Sequence, residues 1–191
     1  MFGTKSLIAM ATAACCAGFA NISVAQADSA GPALTVPADQ AAAALVCPAA
    51  FTDPGRSVVL LVHGSSGDGW AHYSEGLGRV LTREGRDWCM VNFPDRALGD
   101  IQTNSEFVVA AVRTLAAQTG RPVSLVGYSQ GALEARWAVK WWPDIAATVD
   151  RVVTLEGANQ GTETGALLCK LPECAVAATQ YNPHSQFIAA L

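Results

Sequence analysis

The clearest chemical feature of this chain is the pentapeptide Gly-Tyr-Ser-Gln-Gly at positions 127–131. An apolar run at 123–126 precedes it and a stretch of helical composition at 132–142 follows it. Gly-x-Ser-x-Gly between a strand and a helix is typical of a nucleophile elbow, in which a sharp turn lifts the serine hydroxyl above the sheet. The flanking glycines let strand and helix approach closely because they carry no side chain. This context favours Ser129 as the nucleophile of a serine hydrolase over an ordinary turn serine.

A nucleophilic serine needs a base, and histidine is the usual one. In the fold class with this elbow the chain order is serine, acid, histidine. The chain has three histidines, and only His184 follows the serine. Because an imidazole must take the hydroxyl proton and return it to the leaving group, either His184 is the base or the sequence stops before its base.

Length, composition and charge restrict the remaining possibilities. The 191 residues are 51% hydrophobic, which fits one globular domain with a sizeable core. The net charge of −4 is spread along the chain without a Lys/Arg cluster, so nucleic acid and acidic membrane surfaces are not expected partners. We expect a small-molecule or lipid ester as the partner, with transient lipid-interface contact as an option.

The N-terminus has the organisation of a secretory signal peptide. A basic residue, Lys5, precedes an apolar stretch at 7–20, and Ala-Gln-Ala at 25–27 is typical of a cleavage site. The apolar stretch is shorter than the roughly 20 residues that span a bilayer, although a retained anchor is the alternative. We therefore predict that residues 1–27 are a signal peptide, cut after Ala27, and that the protein is secreted or periplasmic.

Four cysteines remain after the predicted cleavage: Cys47, Cys89, Cys169 and Cys174. In an oxidising compartment they predict two disulfides, and four cysteines allow three connectivities. The sequence has no Cys-x-x-Cys and no histidine at ligand spacing, so neither a metal nor another cofactor is expected.

The periodicity predicts an α/β fold with a parallel sheet. Residues 28–45 are rich in Ala and Pro and are expected to be an extended lead-in. Beyond them strands alternate with helices, which favours right-handed crossovers and a site at the carboxyl ends of the strands. The predicted elements are strands at 58–62, 88–93, 123–126 and 151–155, and helices at about 73–83, 100–117 and 132–142. The loops at 64–69, 128–131 and 156–162 should therefore converge.

A wider set of residues carries a family resemblance over roughly positions 40 to 190. The matching positions are Leu60-Leu61-Val62-x-Gly64, Leu77-x-x-x-Leu81, Gly85, Cys89, Asp100-x-Gln102-x-Asn104-x-Glu106, Ser129-Gln130-Gly131-x-Leu133, Val149-Asp150-Arg151 and Gly161-Thr162. This pattern resembles the secreted lipases of the Candida antarctica lipase B group and their bacterial relatives. The Asp-x-Gln-x-Asn-x-Glu run beside Ser-Gln-Gly is much more specific than the elbow alone.

The resemblance implies an α/β-hydrolase fold, with a mostly parallel sheet and helices on both faces, that hydrolyses acylglycerols or similar esters. Ser129 would carry the acyl group, and the backbone N–H groups of Gln130 and Ser65 would form the oxyanion hole. For Ser65 an ordinary Gly/Ser loop stays open as the alternative, because no spacing fixes donor geometry. The resemblance also implies a Cys47–Cys89 disulfide, which leaves Cys169 to pair with Cys174.

The chain departs from the family pattern at three places. Ala132 replaces a glycine after Ser-Gln-Gly, and Ala158 replaces an aspartate of the loop after the fourth strand. Residues 180–191 resemble the family segment that precedes the strand bearing the catalytic aspartate. The resemblance therefore implies a partial hydrolase domain at 28–191, without its last strands and inactive by itself, in which His184 is a surface or capping residue.

Other side chains are assigned structural roles. Leu133, Trp137 and Trp141 recur at helical spacing and predict a core-facing helix surface, with Trp142 half exposed. Asp100, Gln102 and Glu106 are expected to serve hydrogen bonding at a helix start. Two alternatives for the function remain, namely a non-catalytic extracellular domain that kept its serine, and a thioesterase or polyester depolymerase.

Overall fold

A computed structural model describes residues 30–170 and 172–191. The predicted signal peptide at 1–27 and its cleavage site lie outside the described residues. Within the part that is described, none of the helices has both the length and the apolar character needed to cross a bilayer.

A five-stranded sheet forms the centre of the described chain, with the spatial order β1-β3-β2-β4-β5. β1 pairs with β3 antiparallel, and all other neighbouring strands are parallel. β2 is buried along its whole length, as its uninterrupted apolar run predicted. The strands are β1 Leu45–Val46, β2 Val58–Val62, β3 Trp88–Val91, β4 Val123–Tyr128 and β5 Val149–Leu155.

Helices cover both faces of this sheet, as predicted. Alternate residues of β2 enter two separate cores: Val58, Leu60 and Val62 pack with residues of α4 and α5, whereas Val59 and Leu61 pack with residues of α2 and α3. The helices are α1 Ala38–Ala44, α2 Gly69–Tyr73, α3 Leu77–Arg83, α4 Ile101–Thr119, α5 Gly131–Trp141, α6 Pro143–Thr148, α7 Glu163–Leu168, α8 Val176–Gln180 and α9 Gln186–Ala190. A short 3-10 helix lies at Pro94–Ala97.

Two predicted elements differ from the structure. The lead-in at 28–45 is not extended throughout, because its alanine-rich part, a strong helix former, forms α1 after Pro37. The helix predicted at about 73–83 begins only at Leu77, as α3, and the separate short helix α2 ends at Tyr73. The helix predicted at 132–142 is confirmed as α5, which ends at Trp141, and Pro143 then begins the further helix α6, where its missing N–H costs nothing.

The helix-start prediction was right for Asp100 and wrong for Glu106. The Asp100 carboxylate accepts from Thr103 N–H at 2.9 Å and caps α4. Glu106 instead accepts from the backbone N–H of Val36 at 2.9 Å and from Thr35, so it anchors the segment before α1. Gln102, the third member of the predicted set, is exposed.

The aromatic face of α5 agrees only in part with its prediction. Leu133 and Trp137 are buried, but Trp141 is 41% exposed. Trp142 is buried rather than half exposed, because its indole N–H donates to the Pro32 carbonyl at 2.8 Å. The lead-in segment therefore covers a tryptophan that the sequence left at the surface.

Both disulfides have the expected pairing, Cys47–Cys89 and Cys169–Cys174. The first joins the chain just after β1 to β3, to which the two-residue strand β1 is paired. The second closes a turn between α7 and α8. The cross-links differ in the chain length that they enclose, with separations of 42 and 5 residues.

We expect the two disulfides to stabilise the fold unequally. In the chain-entropy model the Cys47→Ala/Cys89→Ala variant loses about 4 kcal/mol of unfolding free energy and the Cys169→Ala/Cys174→Ala variant about 2 kcal/mol. Urea unfolding of both variants at pH 7 measures the difference, and each variant is the control for the other. A larger loss from the second pair would contradict the expectation.

Candidate active site

Ser129 lies directly after β4 in a strained backbone conformation. Its φ is 53°, in the left-handed region that residues with a β-carbon rarely adopt. Its N–H donates to the Leu155 carbonyl at the end of β5 at 2.9 Å, which holds the turn against the neighbouring strand. Such strain persists only where the surrounding structure fixes it, and it clusters at functional sites. The local structure is therefore the strand, turn and helix that the elbow pattern predicted.

Both elbow glycines are needed for close packing, which confirms the reason inferred for them. A β-carbon at Gly131 would overlap the Val62 carbonyl oxygen and lie 2.6 Å from that of His63. A β-carbon at Gly127 would lie 2.5 Å from the Gly131 carbonyl oxygen. The start of α5 thus rests on the carboxyl end of β2 with no room for a side chain.

The loop after β2 lies against the nucleophile. A β-carbon at Gly64 would come within 2.9 Å of Ser129 Cβ and 3.5 Å of its Oγ. As a result, Ser65 and Gln130 line the same cavity as the nucleophile. Among the described residues neither the N–H of Ser65 nor that of Gln130 has an acceptor, although nearly all buried backbone donors are paired in proteins. Two free N–H groups flanking a serine are available to a negatively charged oxygen.

A cavity of about 370 Å³ opens at this point and contains all three predicted site residues: Ser65, Ser129 and Gln130. The rest of its lining is Glu156, Gly157, Ala158, Gly161, Thr162, Thr164 and Tyr181. The predicted convergence of the three strand-end loops at the carboxyl edge of the sheet is therefore correct.

Tyr181 is a cavity residue that sequence reasoning missed. It follows α8, its ring is buried, and its carbonyl accepts from Thr162 N–H at 2.8 Å. Burial raises the pKa of the Tyr181 phenol, an effect opposed by the nearby Ser65 hydroxyl. No sequence motif indicated this tyrosine, because it belongs to a segment that is distant from the elbow in sequence and reaches the site only in the folded protein.

A buried polar cluster lies behind Gln130 and was also missed. The Gln130 side-chain amide donates to the Ala97 carbonyl at 2.9 Å and to the Glu134 carboxyl at 2.7 Å. Glu134 is fully buried, and burial raises its pKa to about 8, with Gln130 and Asn104 acting in the opposite direction. A glutamate beside Leu133 on the apolar face of α5 was the available signal, since buried carboxyls are rare unless partnered.

None of the three histidines lines the cavity, as far as the structure is described. His184 is exposed, and its backbone N–H donates to the Asn182 side chain, in agreement with a surface position. His63 is completely buried at the end of β2. His72 lies on α2, with its ring stacked on that of His63.

The chain is similar to two curated proteins and to one solved structure. Lipase B of Pseudozyma antarctica is 29% identical over 161 residues, which are 84% of this chain and 47% of that protein. The chain is homologous to this lipase. A triacylglycerol lipase of Pseudomonas fragi is 32% identical over 112 residues, 56% of this chain and 36% of its own length. No family model matches the sequence.

The structural comparison agrees with the sequence comparison. Lipase B of Aspergillus fumigatus superposes with a TM-score of 0.77 at 27% identity, over 84% of this chain and 39% of that one. The predicted α/β-hydrolase fold and the resemblance to lipase B are thereby confirmed. The chain spans about half or less of the length of these relatives.

The buried Glu134 carboxyl makes the stability of the folded protein depend on pH. The pKa of Glu134 in the folded protein, about 8, exceeds the ordinary value of 4.5. As pH rises, the unfolded chain therefore loses the carboxyl proton before the folded protein does. The unfolding free energy that the neutral carboxyl contributes is lost between pH 4.5 and pH 8. We expect Glu134→Gln, a neutral isostere, to gain stability relative to the wild type over this interval. Thermal unfolding from pH 5 to pH 9 measures the gain.

A matched control is Glu75→Gln, because the Glu75 side chain is 85% exposed. The melting temperature of this control should differ from that of the wild type by the same amount at every pH. A Glu134→Gln variant whose difference from the wild type is constant with pH would show that Glu134 is charged in the folded protein.

Proposed function

We propose that this protein is a secreted or periplasmic carboxylic-ester hydrolase that acts on acylglycerols or similar esters through an acyl-enzyme on Ser129. The observation that carries the proposal is the strained serine, with φ 53°, in one cavity with two backbone N–H groups that have no acceptor among the described residues. The homology to lipase B supports the choice of an ester as substrate. Two disulfides fit an extracytoplasmic location.

The proposed reaction follows from the positions of these groups. Ser129 Oγ attacks the ester carbonyl carbon, and the carbonyl oxygen becomes an oxyanion that accepts from the N–H groups of Ser65 and Gln130. Collapse of this intermediate breaks the bond to the alcohol and leaves the acyl group on Ser129, and water then releases the carboxylic acid by the same steps. The hydroxyl proton requires a base, and no imidazole in the described part of the chain lines the cavity.

The same observation on imidazoles favours a second candidate function. A non-catalytic extracellular domain with this fold would keep the elbow, whose glycines are fixed by packing, and would need no base. The two candidates differ in one property, which is the reactivity of Ser129.

The nucleophile can be identified by covalent labelling. In the protein expressed from its complete reading frame, we expect p-nitrophenyl hexylphosphonate to modify Ser129, because the phosphonate resembles the tetrahedral intermediate that the oxyanion donors stabilise. Peptide mass spectrometry locates the adduct. Ser129→Ala should abolish labelling and ester hydrolysis, whereas Ser74→Ala, a change at the residue that follows α2, should leave both unchanged. An absent adduct, or one on another residue, would favour the non-catalytic domain.

Because no imidazole among the described residues lines the cavity, we expect these residues to turn over esters very slowly. A serine without its triad partners loses about 10⁶-fold in kcat and keeps only oxyanion and binding effects. We expect added imidazole to raise hydrolysis of p-nitrophenyl butyrate above that of the Ser129→Ala variant at the same imidazole concentration, because free imidazole can act as the base that no described cavity residue supplies. Turnover that needs no imidazole and is lost in His184→Ala would show that His184 is the base.

A further inference from the structure

His63 has both ring nitrogens engaged by the backbone next to the candidate site. It directly follows β2 and is 0% exposed. Its Nδ1 lies 2.7 Å from the Gly64 carbonyl oxygen. Its Nε2 receives the N–H of Phe93, just beyond β3, at 3.0 Å. A buried polar ring with two specific partners is a built feature, and neither the elbow nor the proposed reaction has used it.

These two contacts determine the tautomer of the ring. The backbone N–H of Phe93 can only donate, so Nε2 must carry a lone pair and no proton. The remaining proton of the neutral ring is then on Nδ1, which donates to the Gly64 carbonyl. Burial lowers the pKa of His63, with the Gly64 bond acting in the opposite direction, so the ring is neutral around pH 7.

The Gly64 carbonyl belongs to the same peptide unit as the N–H of Ser65. A trans peptide is planar, and its C=O and N–H point in opposite directions, so a bond that holds the carbonyl also sets the direction of the N–H. Gly64 itself can rotate easily because it has no side chain, and a side chain is excluded there by Ser129. The next peptide is held separately, since Ser66 N–H donates to the Arg96 carbonyl at 2.8 Å.

We propose that His63 is a positioning residue, which holds the Gly64–Ser65 peptide through Nδ1–H so that the Ser65 N–H points into the cavity of Ser129. The inference rests on the proposed function, in which that N–H is an oxyanion donor. The bond from Phe93 N–H fixes the proton on Nδ1. The bond from Nδ1–H to the Gly64 carbonyl then fixes the orientation of the Gly64–Ser65 peptide. His63 touches no substrate in this arrangement and acts only through the peptide.

Acid should disrupt this arrangement. A proton added at Nε2 meets the Phe93 N–H, so the cationic ring must give up one of its bonds. The charged or titratable groups near the ring are His72, whose charge would oppose protonation, and the Asp68 carboxylate, which would favour it; Tyr128 packs beyond His72. Because the folded pKa lies below the ordinary value of 6.5, the stability that His63 contributes falls as pH drops below 6.5.

Two amide variants separate the two bonds of the ring. The side-chain amide nitrogen of His63→Asn lies near the position of Nδ1 and can still donate to Gly64, but it cannot reach Phe93. The longer His63→Gln can accept from Phe93 but loses the Gly64 bond. His72→Phe keeps a ring stacked on His63 and is the control. All are made in the protein expressed from its complete reading frame and checked for folding by thermal unfolding.

Nitrogen-15 NMR and phosphonate labelling provide the readouts. In the wild type we expect a neutral Nδ1–H tautomer for His63 at pH 7. The Ser65 amide resonance should shift in His63→Gln and stay near its wild-type position in His63→Asn and His72→Phe. The rate of Ser129 phosphonylation should fall about 10-fold or more in His63→Gln, part of the effect of losing an oxyanion donor, and stay within about threefold in His63→Asn.

The possible outcomes distinguish the inference from the function. An Nε2–H tautomer would overturn the inference, as would a folded His63→Gln with wild-type Ser65 resonance and labelling rate, or a defect in His63→Asn that exceeds the one in His63→Gln. If the wild type is not labelled at all, the proposed hydrolase function fails, and the tautomer and the Ser65 resonance still decide whether His63 orients the peptide.

Discussion

The close contact between the start of α5 and the carboxyl end of β2 is the constraint on which the site depends. Gly131 lies against the carbonyls of Val62 and His63, where no side chain fits. This contact forces the turn between β4 and α5 to be short, and Ser129 takes the strained φ of 53° within it. The packing free energy of the central strands, not a local preference of the serine, maintains the strain.

The same contact brings the two candidate oxyanion donors together. Since β2 and β4 are neighbouring parallel strands, the loops that follow them leave the sheet side by side. Gly64 then packs on Ser129, and the N–H groups of Ser65 and Gln130 are left without acceptors in the described structure. The donors are thus unpaired as a consequence of strand order and glycine packing, and the arrangement exists before any substrate binds.

The sequence predicted the features that depend on short segments. The strand before the elbow, the Asp100 cap, the two disulfide pairings and the grouping of Ser65, Ser129 and Gln130 were all available from local patterns or from the family resemblance. Features that depend on contacts between distant segments were not predicted. Glu106 was assigned to its own helix because its partners, Thr35 and Val36, precede it by about 70 residues, and Tyr181 reaches the cavity only through tertiary packing.

A buried group that titrates lies behind each candidate oxyanion donor, and burial favours the neutral form of both groups. His63 keeps its bonds to Gly64 and Phe93 only while the ring is neutral, which holds above its lowered pKa. Glu134 is partnered by Gln130 and is best accommodated while its carboxyl is protonated, below about pH 8. An uncharged pair behind the site avoids placing a fixed ion near the developing oxyanion, where a carboxylate would repel it and an unpaired imidazolium would be costly to bury. Both groups are therefore neutral around pH 7, because burial lowers the pKa of His63 and raises that of Glu134.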